Sequence, residues 1–202
     1  MSVRKPAEDS LSIRQKLTLF HGTAVSAERA LSTLDGDINF EMMVTSGVKA
    51  INIITAGVRP LLLKQHGVTS AAQLRRLGFD ALHLVDEVMC DEASSAYGAP
   101  DVVQSFLVSP TDAVALAGSA AVTKLNISVE QLLEACAGAP TEAISVLQQV
   151  TQASPLKGVA AKTLLDTGLR GPQLKQLGYT LVQIRELAGI GAAELHKLEY
   201  TL

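Results

Sequence analysis

The sequence predicts an all-α protein: an array of short helices with 10–11-residue repeat units, arranged as a solenoid-like or compact helical stack. Units of one form occur in the first half of the chain and again at its C-terminal end. Each unit opens with glycine and an apolar residue and closes on an L-x-x-L or I-x-x-L pair. The opening glycines are Gly57, Gly67 and Gly78, and later Gly168, Gly178 and Gly189. No segment alternates polar and apolar residues for long, so strands are not expected.

The unit from Gly178 to Leu187 shows why each unit is expected to be a helix of about two turns followed by a tight turn. Thr180 can cap the helix, and Gln183 three residues later completes a capping box. Three apolar residues fall on roughly one helical face, namely Leu181, Ile184 and Leu187. A helix this short is marginal alone in water, so each one must pack against its neighbours, as in a stacked array.

The composition favours closely packed helices. Hydrophobic residues make up 48% of the chain and aromatic residues only 3%, so the core must consist of Leu, Val, Ile and Ala. The formal net charge of −3 argues mildly against a dedicated nucleic-acid binder, because such proteins are usually basic. No run of about 18 apolar residues occurs, so no membrane span is expected.

The chain is predicted to have a flexible N-terminal arm, residues 1–10, followed by a helical repeat domain, residues 11–202. The segment near 87–97 breaks the rhythm, so the domain is either continuous or divided into two halves there. The N-terminus lacks the apolar core of a signal peptide. The two cysteines show no CxxC spacing, which predicts a reducing, intracellular setting with the cytoplasm as the default location.

The first helices are predicted from their start signals. Ser12 and Gln15 form a capping box, and Ser26 caps a second helix. Residues 40–44 are apolar, and their helical context favours a short helix over a strand. The repeat units begin just after this segment, and Pro60 stands near a first helical position, where its missing N–H costs nothing.

The following helices are also marked by caps. Thr69 and Asp80 are the expected caps of two repeat units. Residues 109–112 combine a serine cap, a proline at the first position and an acid at the third, which strongly indicates a helix start. Ser128 with Gln131 forms another capping box. Further helix starts are expected at Gly98–Asp101, Pro140 and Ser154–Pro155.

Charge is distributed unevenly along the chain. Residues 46–86 carry five bases and two acids, whereas residues 87–150 carry eight acids and one base, Lys124. Residues 151–202 are mildly basic again. This layout indicates intramolecular complementarity, two contact faces, or chance clustering on a solvated surface. The adjacent acids Asp91 and Glu92 are interpreted as solvated charges at a helix start.

The segment from Ile184 to Leu198 resembles the helix-hairpin-helix motif, in which a helix ends in L-x-G-I-G and a second helix begins. The resemblance implies that backbone N–H groups of the hairpin hold a DNA phosphate without reading sequence. It would place Gly189, Ile190 and Gly191 in the hairpin, with His196 or Lys197 near the phosphate. The bases expected to share this face are Arg75, Arg76, Lys175, Arg185 and Lys197. A helix cap within the repeat array is the alternative interpretation.

Few residues point to catalysis. The four histidines are far apart and form no HxH or HExxH motif, and no phosphate-binding glycine loop occurs. His66 and His83 fall in repeat positions, where a helix-end or surface histidine is expected. Cys90 and Cys136 are predicted to be core residues. We therefore expect no catalytic residue, metal site or cofactor.

The leading function predicted from the sequence is a non-enzymatic scaffold that binds a protein partner or its own copies. Arrays of this kind expose apolar ends unless they are capped, and the C-terminal residues Leu195, Leu198 and Tyr200 lie in mid-repeat. These three residues are therefore predicted to contact a partner or the body of the array. Nucleic-acid binding through the hairpin is the alternative. An enzyme would require a concave pocket that holds two titratable groups in hydrogen-bond reach.

Overall fold

The computed structural model describes residues 39–153, 161–176, 180 and 182, and these contain α-helices, one 3-10 helix and no strand. The all-α class predicted from the sequence is therefore confirmed. In chain order the α-helices are α1 (Phe40–Thr45), α2 (Ala50–Thr55), α3 (Pro60–Gln65), α4 (Ala71–Arg76), α5 (Glu87–Tyr97), α6 (Ala99–Phe106), α7 (Pro110–Leu116), α8 (Ser119–Lys124), α9 (Val129–Ala135), α10 (Pro140–Ala153), α11 (Ala161–Asp166) and α12 (Gly171–Gln176). The 3-10 helix (Ala81–Leu84) lies between α4 and α5.

The first four helices end in the same turn, which explains the glycine-plus-apolar pattern of the sequence. After α2, Gly57 has a φ of 74°, a left-handed conformation that costs glycine little. The Gly57 N–H donates to the Ile54 carbonyl, and the Val58 N–H donates to the Ile53 carbonyl, which defines a Schellman motif. The same pair of bonds closes α1, α3 and α4. The apolar residue after each glycine is buried: Val48, Val58, Val68 and Phe79.

A second feature recurs at the helix starts. A polar side chain at the third helical position accepts a hydrogen bond from the backbone N–H of the cap residue. Gln73 accepts from Ser70 N–H at 3.3 Å, and Gln131 accepts from Ser128 N–H at 2.9 Å. His83 does the same for Asp80 at 3.1 Å. The predicted caps Asp80 and Ser128 are confirmed, whereas the cap of α4 is Ser70 and not Thr69.

Several helices pack against the element roughly thirty residues further along the chain. Thus α3 contacts α5, α4 contacts α6, the 3-10 helix contacts α7, and α5 contacts α8. Hydrogen bonds accompany this packing, because Asp101 accepts from the Ala71 N–H at 3.1 Å and Lys64 donates to the Ala96 carbonyl. The helices thereby bury apolar faces that none of them can bury alone. The solenoid-like repeat array stays a prediction, since the C-terminal units lie outside the described residues.

The segment that interrupts the sequence rhythm is α5, which contacts α3, α6, α8 and the 3-10 helix. Its buried face consists of Cys90, Ala93 and Ala96. Small residues on this face fit a helix with neighbours on several sides. A division into two halves at residues 87–97 stays a prediction, and the predicted arm at residues 1–10 lies outside the described part.

Candidate interaction surfaces

Most residues of the predicted sites fall outside the described part of the chain. These are the hairpin residues Gly189, Ile190 and Gly191, the bases Arg185 and Lys197, and the partner-binding residues Leu195, Leu198 and Tyr200. Lys175 belongs to α12, but its side chain also lies outside what the structure describes. Of the bases predicted to share a nucleic-acid face, Arg75 and Arg76 on α4 are the two whose side chains are described.

Arg75 and Arg76 reach in different directions and join α4 to two neighbours. The Arg75 guanidinium donates to the Ser105 carbonyl at 3.2 Å and lies 5.9 Å from the centroid of the Phe106 ring. The Arg76 guanidinium lies 4.8 Å from the Phe40 ring centroid and 3.7 Å from the Glu41 carboxylate. Such cation–aromatic contacts orient both side chains toward the protein.

Among the described residues, three ion pairs link the helices of the acidic segment to their neighbours: Arg59 with Glu92, and Lys124 with both Asp91 and Glu87. Lys124 of α8 donates to Asp91 of α5 at 2.9 Å, and this hydrogen bond raises the pKa of the lysine. Arg59 lies 3.4 Å from Glu92. The helix-start part of the interpretation of Asp91 and Glu92 is wrong, because α5 begins at Glu87 and both acids lie in its second turn; the Asp91 side chain is nevertheless 43% exposed. Intramolecular complementarity, one of the alternatives for the charge layout, is seen at the Arg59–Glu92 pair, which joins the basic segment to the acidic one.

The two cysteines are buried thiols, as predicted. Cys90 and Cys136 are 0% exposed and form no disulfide. Burial raises the pKa of each thiol from 9.0 to about 11, with a further rise from Asp91 at Cys90 and from Glu142 at Cys136. Since the thiolate is the reactive form, these thiols are poor nucleophiles at neutral pH.

The described histidines serve helix ends, which agrees with their predicted role. His66 is the C-terminal cap residue of α3, and the ring of His83 accepts from the Asp80 N–H. Among the residues that the structure describes, no group of three or more His, Cys, Asp or Glu could hold a metal ion. Nor does any helix in this part have the length and apolar character required to cross a membrane.

An open cleft of about 850 Å³ lies between α6 and α9. Its floor is apolar, with Val103 and Leu125 almost fully buried. Its lining contains no charged residue and consists of Ala99, Pro100, Val103, Gln104, Leu125, Asn126, Ser128 and Gln131. The cleft thus offers neutral hydrogen-bonding groups above an apolar floor, a combination common in binding sites.

A second surface is a row of exposed apolar side chains around the start of α5. Leu82 is 65% exposed, Val85 36% and Val88 44%, and the three residues lie close together in the sequence. We call these three residues the Leu82 strip. Isolated apolar residues are common on protein surfaces, whereas contiguous ones often mark interaction sites.

Comparison with known proteins finds no family model, no curated protein and no solved structure that matches this chain. The two surfaces were not identified from the sequence. For the Leu82 strip a signal existed, because the segment carries one apolar row at Ala81 and Leu84, which is buried, and a second at Leu82 and Val85. For the cleft no local signal existed, since the cleft depends on the distance between two helices that are remote in sequence.

Proposed function

We propose that the protein is a non-enzymatic scaffold of short helices that binds a protein partner or associates with its own copies. The observation that carries this proposal is the Leu82 strip, three exposed apolar side chains within one short segment of the chain. Covering a partly exposed Leu or Val contributes on the order of 1 kcal/mol. A partner that covers all three therefore gains a useful part of its binding energy from this strip.

The surroundings of the Leu82 strip favour a protein partner. The exposed acids Asp80, Asp86 and Glu87 alternate with these residues along the segment, so the segment combines exposed apolar and negatively charged side chains. Protein interfaces commonly combine an apolar core with a polar rim. A phosphate backbone would be repelled by Asp80 and Asp86, whereas Glu87 lies 3.9 Å from Lys124.

Site-specific photocrosslinking tests the proposal. A benzophenone amino acid is placed at Leu82 in one protein and at Thr111 in a control, which is the exposed second residue of α7 just as Leu82 is the second residue of its helix. We expect a discrete adduct from position 82 and none from position 111. Mass spectrometry of the adduct then distinguishes a second copy from another protein. No adduct at position 82, or equal adducts at both positions, contradicts the proposal.

Fluorescence anisotropy with duplex and single-stranded DNA and RNA tests the alternative function. Phosphate contacts make binding weaken steeply with salt, so a scaffold without such contacts shows no salt-sensitive binding at low ionic strength. Binding that falls steeply with salt, and that is lost on Lys197→Ala, would instead support the hairpin at Gly189–Gly191 as a phosphate site.

A further inference from the structure

We propose that the cleft between α6 and α9 binds an extended polypeptide segment with an uncharged centre of about four residues and basic flanks. This inference rests on the proposed function in so far as the partner is a protein. It names the chemistry of that partner and uses a surface separate from the Leu82 strip.

The cleft lies between two helices that pack less closely than several other pairs at the same separation in the sequence. Several helices pack closely on the element about thirty residues further on, as α3 does on α5 and α4 on α6. The corresponding element for α6 is α9, and these two helices pack less closely than those pairs do. The space between them is the cleft, whose floor residues Val103 and Leu125 belong to the core. An added segment can therefore fill a gap in the helix packing.

The hydrogen-bonding groups of the cleft suit a peptide backbone. Three carboxamides, from Gln104, Asn126 and Gln131, line it together with the Ser128 hydroxyl. A carboxamide both donates and accepts, as a peptide group does, so the two are complementary. The oxygen of Gln131 is occupied by the Ser128 N–H, which fixes the side chain and leaves its amino group to donate. A phosphate or carboxylate ligand would find no cation among the lining residues.

Charge near the cleft selects the flanks of the segment. Glu130 and Glu134 lie on α9, on either side of Gln131 in the sequence, and neither forms an ion pair within the described residues. The one base of the surrounding acidic segment, Lys124, is already paired with Asp91. Lysine or arginine beside the bound segment would pair with these carboxylates, whereas glutamate there would be repelled by them, so a segment with basic flanks binds faster and more tightly than one with acidic flanks.

The length of α6 sets the size of the segment. This helix has eight residues, so it is about 12 Å long at 1.5 Å per residue. An extended chain advances about 3.3 Å per residue, and about four residues therefore span the cleft. Alternate side chains of such a segment point toward Val103 and Leu125, where small or medium apolar side chains fit best.

Peptide binding to the full-length protein tests the proposal. The probes are fluorescent octapeptides with the neutral core Ser-Val-Ala-Leu, flanked by two lysines or by two glutamates at each end. A third probe carries the lysine flanks and N-methyl groups on alternate core amides. We expect the lysine-flanked peptide to bind about tenfold more tightly than either of the other two, which corresponds to roughly one charge-assisted or backbone hydrogen bond.

Matched variants locate the site. Gln104→Trp fills the cleft and should weaken binding at least about tenfold, whereas Gln65→Trp, on the exposed end of α3, should leave it unchanged. Gln104→Ala keeps the test valid if the tryptophan variant fails to fold, because it removes one carboxamide without adding bulk. The double change Glu130→Gln and Glu134→Gln should abolish the preference for lysine flanks.

Three results would overturn the cleft proposal: no binding of any peptide, equal binding of all three, or equal effects of Gln104→Trp and Gln65→Trp. A crosslink at Leu82 without peptide binding would refute the cleft and leave the scaffold function standing. Peptide binding sensitive to Gln104 without a crosslink at Leu82 would refute the strip alone. The two proposals therefore fail separately.

Discussion

The two buried thiols should make the protein lose stability in mildly alkaline solution. Cys90 and Cys136 are 0% exposed, and burial raises the pKa of each from 9.0 to about 11. A folded-state pKa above the unfolded value means that the unfolded chain loses its proton first as the pH rises. The contribution of each thiol is therefore complete below pH 9.0 and is lost as the pH approaches 11.

The size of the effect follows from these values. Between the two pKa values, each unit of pH lowers the free energy of unfolding by about 1.4 kcal/mol per thiol. By about pH 10.5 the loss reaches about 2 kcal/mol per thiol. The two thiols together lower the free energy of unfolding by about 4 kcal/mol. This is a large share of the total stability of a single domain, which is typically about 5–15 kcal/mol. Replacing both thiols by alanine removes this term. The replacement itself costs roughly 1 kcal/mol at each site through lost packing, independently of pH.

The assay is urea unfolding of wild type and of the double variant Cys90→Ala and Cys136→Ala at several pH values between about 7 and 10.5. The variant should be the less stable protein at neutral pH and the more stable one at the alkaline end. Val146→Ala, a buried truncation on α10 without a titrating group, serves as the control. Its stability difference from wild type should not change with pH, since tyrosines and lysines titrate equally in both proteins.

A stability difference between wild type and the cysteine variant that stays constant across this pH range would refute the reasoning. It would mean that the folded and unfolded thiols titrate alike, which is incompatible with their burial. Curves that cross for Val146→Ala as well would show that the pH effect lies elsewhere in the chain.

Two further predictions concern the packing between helices. Tyr97 donates its hydroxyl to the Pro60 carbonyl at 3.1 Å, and Tyr97→Phe should lower the free energy of unfolding by about 0.5–1.5 kcal/mol in urea titrations; an unchanged midpoint would mean that the bond is not formed. Leu116→Ala should lower the free energy of unfolding by about 2–5 kcal/mol because Leu116 is 0% exposed. Val108→Ala, at a 57% exposed site, should change it by less than about 0.5 kcal/mol. Equal losses at the two sites would contradict the placement of Leu116 in the core.

Features that depend on a few neighbouring residues were predictable from the sequence. The start of α7 at Ser109 and Pro110 and the capping box of Ser128 and Gln131 are both confirmed. These signals are local because a cap satisfies N–H groups only two or three residues away. At Asp80 the sequence predicts the cap but not the capping box, because the third position holds His83 where glutamine or glutamate is usual. The His83 ring accepts the hydrogen bond in their place.

Features that depend on contacts between remote residues were not predictable. Asp101 reads as an ordinary acid in the first turn of α6, yet its carboxylate accepts from the N–H of Ala71. Asp91 and Glu92 were misinterpreted for the same reason, because their partners Lys124 and Arg59 are 33 residues away. Sequence patterns identify which groups need partners and leave open which segment supplies them.

The hydrogen bonds that basic side chains make within the fold help to distinguish between classes of partner. Arg59, Lys64 and Arg75 each bind a group 30 to 33 residues further along the chain. To contact a phosphate, such a side chain would first have to break a hydrogen bond between packed segments, at a cost of order 1 kcal/mol. The Leu82 strip and the α6–α9 cleft carry no such cost, because their exposed groups are not engaged in joining helices. A nucleic acid bound through these bases would therefore compete with the packing between helices, and this is a physical reason to expect a protein ligand.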